Sequence, residues 1–333
     1  MNLAVPVTMR LAALALTILA IVLFACISGP YPMTPGDIFS ALLAGPDAAN
    51  DTATVIWKLR LPRIAAGLLV GAALSAAGAA YQGMFRNPLA SPDILGVSAG
   101  AGLGAALAIY CSLPVIAIQG AAFAGGLLAV SLVYAVARQV RQHDPVLVLV
   151  LAGVAVGTLF SAAISTVKIL ANPTVQLPAI TFWLLGGLNS ISLGDLGFAL
   201  PCFIAGMLPL LLLRWRINLL SLADEEAASM GVDVARLRLL LVISATLMTA
   251  AAVSIAGIIG WVGLIIPHAA RLLIGPEFSR LLPITMLLGG GFLVAADTLA
   301  RTLFTIELPL GILTSLVGAP VFLLLLARSG RAT

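Results

Sequence analysis

The feature that most constrains the fold is the stretch covering residues 60–104. Two cations, Arg60 and Arg63, flank a Leu-Pro pair and are followed by an uncharged run, 64–85, long enough to cross a bilayer. The turn after this run, 86–96, contains an asparagine, two prolines and an aspartate, and it leads into another apolar segment. Irregular backbone at membrane depth is tolerated only where it is buried in protein or lines a watery cavity. We therefore expect membrane spans that line a pathway.

Composition supports a membrane protein. Charged residues make up 9% and hydrophobic residues 61% of the 333 residues, whereas soluble domains carry about 25% charged residues. The sequence therefore predicts an all-α integral membrane protein, with residues 1–333 forming a single transmembrane domain in contact with lipid. The formal net charge of +4 is too small to indicate a nucleic-acid partner. Because the apolar run after Arg10 is long and lacks a clear cleavage site, we expect it to be retained as the first helix.

Apolar segments and their breaks predict about ten transmembrane helices. The uncharged run 94–137 is too long for one crossing and is broken at Ser112-Leu-Pro114. Residues 172–187, in which Asn172, Pro173 and Pro178 interrupt the pattern, predict a short partial helix. The run 239–270 predicts a full span followed by a short one, because Gly257 and Pro267 interrupt it. The other spans are expected at 11–29, 61–83, 94–110, 115–138, 146–169, 194–213, 281–297 and 308–327.

The distribution of cations predicts the orientation. With ten spans and both termini in the cytoplasm, twelve cations fall inside and five fall outside, which is the positive-inside bias. The twelve inside are Arg10, Arg86, Arg138, Arg141, Arg214, Arg216, Arg236, Arg238, Arg271, Arg280, Arg328 and Arg331. The five outside are Lys58, Arg60, Arg63, Lys168 and Arg301.

The largest charged interval, 214–238, lies on the predicted cytoplasmic side. Ser221 is a suitable N-cap and Gly231 a suitable residue just beyond a helix C-terminus. Three acids between them favour the first turn of a helix. The interval therefore predicts a short helix outside the bilayer, and a solvated connector is the alternative. The acids are Asp224, Glu225 and Glu226.

Several motifs occur in a fixed order along nearly the whole chain. They are Arg60-Leu-Pro-Arg63, Asn87-Pro-Leu-Ala-Ser-Pro-Asp-Ile-Leu-Gly96, the segment 224–231, Gly260-Trp-Val-Gly-Leu-Ile-Ile-Pro-His268 with Arg271, Asp297-Thr-Leu-Ala-Arg301, Leu308-Pro-Leu-Gly311 and Gly318-Ala-Pro320. Together they resemble the FecCD-type permeases, which import iron-siderophores, haem and vitamin B12. The resemblance implies the transmembrane subunit of a type II ABC importer in the bacterial inner membrane. It also implies four partners: a second permease subunit, which is expected to be identical, two ABC ATPase subunits and a periplasmic substrate-binding protein.

The resemblance also implies roles for individual residues. Arg60, Arg63 and Arg301 correspond to cations that dock the binding protein, and interfacial snorkelling is the alternative. The segment 224–231 corresponds to the helix that couples to the ATPase.

Two gates are implied on the cytoplasmic side. Asn87 and Leu89 correspond to one of them. The second is expected at 143–147, where this chain has Asp-Pro-Val in place of the family's small hydroxyl residues.

Neither catalysis nor a cofactor is expected of the chain itself. The only lysines, Lys58 and Lys168, lie outside any phosphate-binding loop, so ATP hydrolysis has to come from a partner. The glycines in 100–104 and 67–71 indicate close helix packing and no dinucleotide site. His143 and His268 form no metal motif.

Lys168 and Ser165 are candidates for the substrate pathway. An ionisable residue in a transmembrane segment is a functional candidate, and this one would attract an anionic cargo. Snorkelling to the outer interface is the alternative for Lys168.

The cargo stays open among siderophore-iron, haem, cobalamin and molybdate or another oxyanion. An ion-coupled secondary transporter is the alternative of another class, although the acids can all be placed in loops or near span ends. An intramembrane enzyme lacks a catalytic constellation.

Overall fold

A computed structural model provides the structure and describes residues 7–48, 50–140, 145–303 and 306–329. Within those ranges the chain forms helices and turns and contains no strand. The α-helices are α1 (Val7–Ile27), α2 (Pro35–Ala44), α3 (Asp51–Thr54), α4 (Leu61–Met84), α5 (Val97–Tyr110), α6 (Val115–Gln139), α7 (Pro145–Leu170), α8 (Gln176–Leu185), α9 (Leu193–Leu212), α10 (Arg214–Asn218), α11 (Asp224–Ser229), α12 (Val234–Ala256), α13 (Val262–Ile274), α14 (Phe278–Thr302) and α15 (Leu310–Ser329).

The all-helical membrane architecture is confirmed. Among the residues described, six helices are long and apolar enough to cross a membrane, judged by length and composition. They correspond to α4 with the residues that precede it, α6, α7, α9, α12 and α14. The shorter apolar helices α1, α5, α13 and α15 lie where the remaining spans were predicted.

The predicted breaks between helices are present, except that Pro267, which was expected to interrupt the run 239–270, lies inside α13. α5 ends at Tyr110 and α6 begins at Val115, with Ser112 at a φ of 55° between them. The partial helix appears as α8, and Gly186 ends it with a φ of 69°. Gly257, with a φ of 65°, separates α12 from α13. Glycine suits these two ends because positive φ costs it little.

The segment between the first two spans contains helices that were not predicted. No helix was expected in residues 30–60, but α2, α3 and a π-helical stretch lie there. Thr34 caps α2 in a capping box with Asp37, and Asn50 caps α3. From α3 the helix continues through a π-helical stretch, Val55–Arg60, directly into α4. The Trp57 indole N–H donates to the carbonyl of Ala41 at 3.0 Å and so joins the π-helical stretch to α2.

The centre of the bundle consists of α4, α12 and α14, whose side chains are mostly buried, while α6, α7 and α9 lie further out. Glycines allow the close approach of these helices. A Cβ added to Gly71 would lie 2.2 Å from the carbonyl oxygen of Gly289, and one added to Gly100 would lie 2.3 Å from that of Gly125. The predicted packing role of the glycines in 67–71 and 100–104 is confirmed at these two positions.

Candidate functional site

Arg60 lies at the predicted outer end of α4 with only 4% of its surface exposed. Its guanidinium donates to the backbone carbonyls of Cys26, Ile27 (3.1 Å) and Tyr31 (2.5 Å), which lie at and just beyond the C-terminus of α1. The last carbonyls of a helix lack intrahelical donors and carry partial negative charge. Arg60 therefore caps α1 from a neighbouring helix.

Arg301, near the end of α14, caps the same helix. It donates to the carbonyls of Ala25 at 2.5 Å and Ser28 at 2.7 Å, and 7% of its surface is exposed. Its Nε atom is buried without a hydrogen-bond acceptor and lies 3.8 Å from the carboxylate of Asp297, one turn earlier.

Among the described residues, Arg63 forms the shortest ion pairs at this end of the bundle. Its Nε donates to both carboxylate oxygens of Asp297 at 2.9 Å, and its Nη1 donates to both oxygens of Glu307 at 3.1 Å. The Asp297 side chain is 4% exposed. A buried carboxylate needs such a partner, because an unpaired buried charge is costly.

The structure therefore brings the three predicted docking cations together, but it also gives them internal partners. Six of their nine guanidinium nitrogens donate to carbonyls at the end of α1, to Asp297 or to Glu307. The docking role stays a prediction. No role was predicted for Asp297 or Glu307. The spacing of Asp297 and Arg301, one helical turn apart, is the signal that could have identified the first of these acids.

A cavity of about 330 Å³ adjoins Arg63 and Glu307. Its other polar lining includes Gln119, Asn189 and Ser254. The Gln119 amide is fixed by donating from Nε2 to Asp195 at 2.6 Å. The cavity thus offers a polar surface at the predicted outer end of the bundle.

The predicted gate residues lie in the turn after α4. The Asn87 side-chain oxygen accepts the backbone N–H of Leu89 at 2.9 Å. An Asx turn of this kind fixes the local backbone. Both side chains are exposed, and 46% of Leu89 is accessible. The second predicted gate, 143–147, begins outside the residues that the structure describes, which resume at Pro145.

The predicted cytoplasmic helix is present as α11, but its N-terminus differs from the prediction. The residue before it is Ala223, which offers no side-chain cap. Ser221 was therefore the wrong N-cap, because it lies in a 3₁₀ turn (Leu219–Ser221) where its hydroxyl donates to the carbonyl of Asn218 at 2.7 Å.

The C-terminus of α11 agrees with the prediction. Gly231 has a φ of 83°, and its N–H donates to Ala228 while the Val232 N–H donates to Ala227 at 3.2 Å. This pair of hydrogen bonds is the Schellman arrangement that ends helices at glycine. Glu225 and Glu226 are exposed on the helix.

A second cavity, of about 580 Å³, lies between the turn after α4 and the segment around α10. Gln82, Arg86, Asn87 and Arg271 contribute polar lining. Arg271 donates to the Gln82 side-chain oxygen at 2.5 Å. The predicted gate thus borders open space.

The two predicted pathway residues lie near the end of α7. Ser165 is exposed and its hydroxyl donates to the carbonyl of Ser161 at 3.0 Å. Lys168 is partly exposed and forms no ion pair with any residue in the described ranges.

Curated relatives are similar to this sequence over most of its length. "Cobalamin import system permease protein BtuC" of Halobacterium salinarum is 48% identical over 82% of this chain and 73% of its own length. A "Probable iron chelatin transport system permease protein" of Helicobacter pylori is 45% identical over 83% of each chain. "Molybdate import system permease protein MolB" of Haemophilus influenzae is 40% identical over 80% of this chain and 79% of its own.

The fold agrees with a solved structure described as an inward-facing conformation of a metal-chelate type ABC transporter. That protein is 35% identical, and the match covers 96% of this chain and 99% of the other with a TM-score of 0.88. The sequence of residues 16–328 also matches the FecCD transport family. The helical bundle, the ordered motifs and these matches agree, and the chain belongs to the FecCD transport family of membrane permeases.

Proposed function

We propose that this chain is the permease subunit of an ATP-driven ABC importer that carries a metal chelate across the cytoplasmic membrane. The observation that carries the proposal is the match, over nearly the whole chain, to the structure of a metal-chelate type ABC transporter. The names of the cobalamin and iron chelatin relatives point to the same class of cargo. The cargo is a ferric siderophore, haem or cobalamin.

The proposed topology has ten crossings with both termini in the cytoplasm. The six long apolar helices and the four shorter ones at the predicted positions support it, as does the twelve-to-five distribution of cations. A second copy of the chain completes the permease. The exposed apolar side chains of α7, among them Leu151, Leu159 and Ile169, are available for that copy or for lipid.

Two ABC ATPases supply the energy and bind at α11, and a periplasmic binding protein delivers the cargo. The exposed Glu225 and Glu226 support the ATPase contact, because they form no ion pair with any other described residue. Lys168 and Ser165 line the proposed pathway. The Ser165 hydroxyl keeps acceptor capacity after its own hydrogen bond is made.

The experiment that tests the cargo is uptake by proteoliposomes that contain the permease, its ATPase and its binding protein. The panel consists of cyanocobalamin, haem, a ferric hydroxamate, a ferric catecholate and molybdate, each with ATP inside or outside. We expect saturable uptake of one chelate only with binding protein and with ATP on the ATPase side. Uptake of molybdate alone would favour the oxyanion alternative, which the MolB relative motivates.

The proposed gate makes a prediction about leakage. Asn87→Ala with Leu89→Ser removes the side-chain acceptor of the turn and an exposed apolar side chain. We expect the nucleotide-independent efflux of trapped cargo from proteoliposomes to rise severalfold. Leu303→Ser serves as the control and is expected to leave efflux unchanged. It changes an exposed leucine directly after the C-terminus of α14, at the end of the bundle away from the proposed gate. A double variant with the efflux of the wild type would show that the gate lies elsewhere.

The proposed docking makes a prediction of opposite signs. Glu307 occupies the Nη1 atom of Arg63 and so competes with an acid from the binding protein. Glu307→Gln should therefore tighten docking, whereas Arg63→Lys should weaken it, because lysine cannot form two parallel hydrogen bonds. Affinities measured in nanodiscs by surface plasmon resonance across a salt series test this. Equal affinities for wild type and Glu307→Gln would leave Arg63 a purely internal residue.

A further inference from the structure

Asp224 joins three separate parts of the cytoplasmic side. Its Oδ1 accepts from Arg86 at 2.7 Å, in the turn after α4, and from Arg238 Nη2 at 2.9 Å, in α12. Its Oδ2 accepts from Arg238 Nη1 at 2.7 Å. Asp224 is itself the first residue of α11. One carboxylate therefore connects the proposed gate turn, the proposed ATPase-coupling helix and a central helix of the bundle.

A further contact holds Arg86 to the 3₁₀ turn (Leu219–Ser221) that precedes α11. Its Nε donates to the carbonyl of Leu220 at 2.7 Å. Its backbone has a φ of 49°, a left-handed conformation that is unfavourable for a residue other than glycine. Such a conformation persists only where the surroundings fix it. Arg86 directly precedes Asn87, so its backbone sets the direction of the gate turn.

The charges of this group favour a persistent contact. The hydrogen bonds from Arg238, followed by those from Arg86, hold the pKa of the Asp224 carboxyl below its usual range. The Asp224 carboxyl group therefore stays ionised at physiological pH. The Arg86 pair contributes little to stability, because 47% of the Asp224 side chain and 39% of the Arg86 side chain are exposed and exposed ion pairs are weak. Arg238, with a side chain 15% exposed, holds the carboxylate with two hydrogen bonds.

A contact between α11 and the gate turn is suited to pass a displacement of one to the other. We propose that Asp224 is a positioning residue that links displacement of α11 to the turn containing Asn87 and Leu89. The inner cavity of about 580 Å³ beside this turn provides space for the movement. This inference rests on the proposed function, because it requires an ATPase that moves α11.

The test measures cargo transported per ATP hydrolysed by the reconstituted complex. Asp224→Asn and Arg86→Gln should each lower this ratio by about fivefold or more, the usual lower range of coupling between sites. Complex assembly and ATP hydrolysis should stay near wild type in Arg86→Gln, because Arg86 lies outside α11. Asp224→Glu keeps the carboxylate and should restore the ratio. The double variant should resemble either single variant, because both break the same link.

Arg236→Gln is the matched control. Arg236 lies two residues before Arg238 and carries the same charge, but its side chain is 89% exposed and pairs with Asp233 within its own turn. We expect it to keep the wild-type ratio. A wild-type ratio in Asp224→Asn and Arg86→Gln, or an equal loss in Arg236→Gln, would overturn the inference. A wild-type complex that shows no ATP-dependent uptake would instead contradict the proposed function.

Discussion

Gly78→Ala is expected to destabilise the folded permease by about 3 kcal/mol, at the upper end of the cost of overpacking. A Cβ at Gly78 in α4 would lie 1.8 Å from the carbonyl oxygen of Gly263 in α13. The clash is with backbone, so no side-chain rotation can relieve it, and the two helices have to move apart. Thermal unfolding of the detergent-solubilised protein measures the effect.

The control for this prediction is Gly120→Ala in α6. Nothing lies within 4 Å of a Cβ added at Gly120. Alanine is favoured over glycine inside a helix by about 1 kcal/mol, so this variant is expected to be slightly more stable than wild type. If both variants unfolded at the same temperature, the close contact between α4 and α13 would be contradicted.

Arg63→Gln is expected to cost about 3 kcal/mol, at the lower end of the range for breaking a buried ion pair. The variant leaves Asp297, with a side chain 4% exposed, without its two-pronged partner. Arg301 remains 3.8 Å away and offsets part of the loss. Unfolding followed by tryptophan fluorescence gives the change.

Two further variants isolate the cause of that loss. The double variant Arg63→Gln, Asp297→Asn removes both charges and should recover most of the stability. Arg280→Gln breaks a pair whose side chains are 65% and 43% exposed and should change stability by less than about 1 kcal/mol. A double variant as unstable as Arg63→Gln would show that charge pairing is not what Arg63 contributes.

Hydropathy and chain breaks predict the helices well, because each span has to satisfy its backbone within itself. The run 94–137 divides where Ser112 and Pro114 interrupt it. Helices α2 and α3 were missed because ten and four residues are too few to give the hydropathy signal of a span. The Thr34–Asp37 capping box was nevertheless present in the sequence as a local signal.

The candidate sites were predictable as residues but not as contacts. Positive-inside counting placed Arg60 and Arg301 on the outer side without revealing that both donate to the end of α1. The carbonyl partners of Arg301 lie more than 270 positions away in the chain, and no local pattern records such a contact. For the same reason Asp224 was expected to favour a helix's first turn and to couple to the ATPase, while its contacts with Arg86 and Arg238 went unpredicted.

The most direct test of an ATP-driven importer is to measure which energy source drives the accumulation of cargo. Proteoliposomes containing permease, ATPase and binding protein are compared with ATP on the ATPase side, with a non-hydrolysable analogue, and with an imposed proton or sodium gradient in place of ATP. We expect cargo to accumulate with ATP alone. Ionophores that collapse the gradients should leave this accumulation unchanged. Accumulation driven by an ion gradient without ATP would contradict it and identify a secondary transporter.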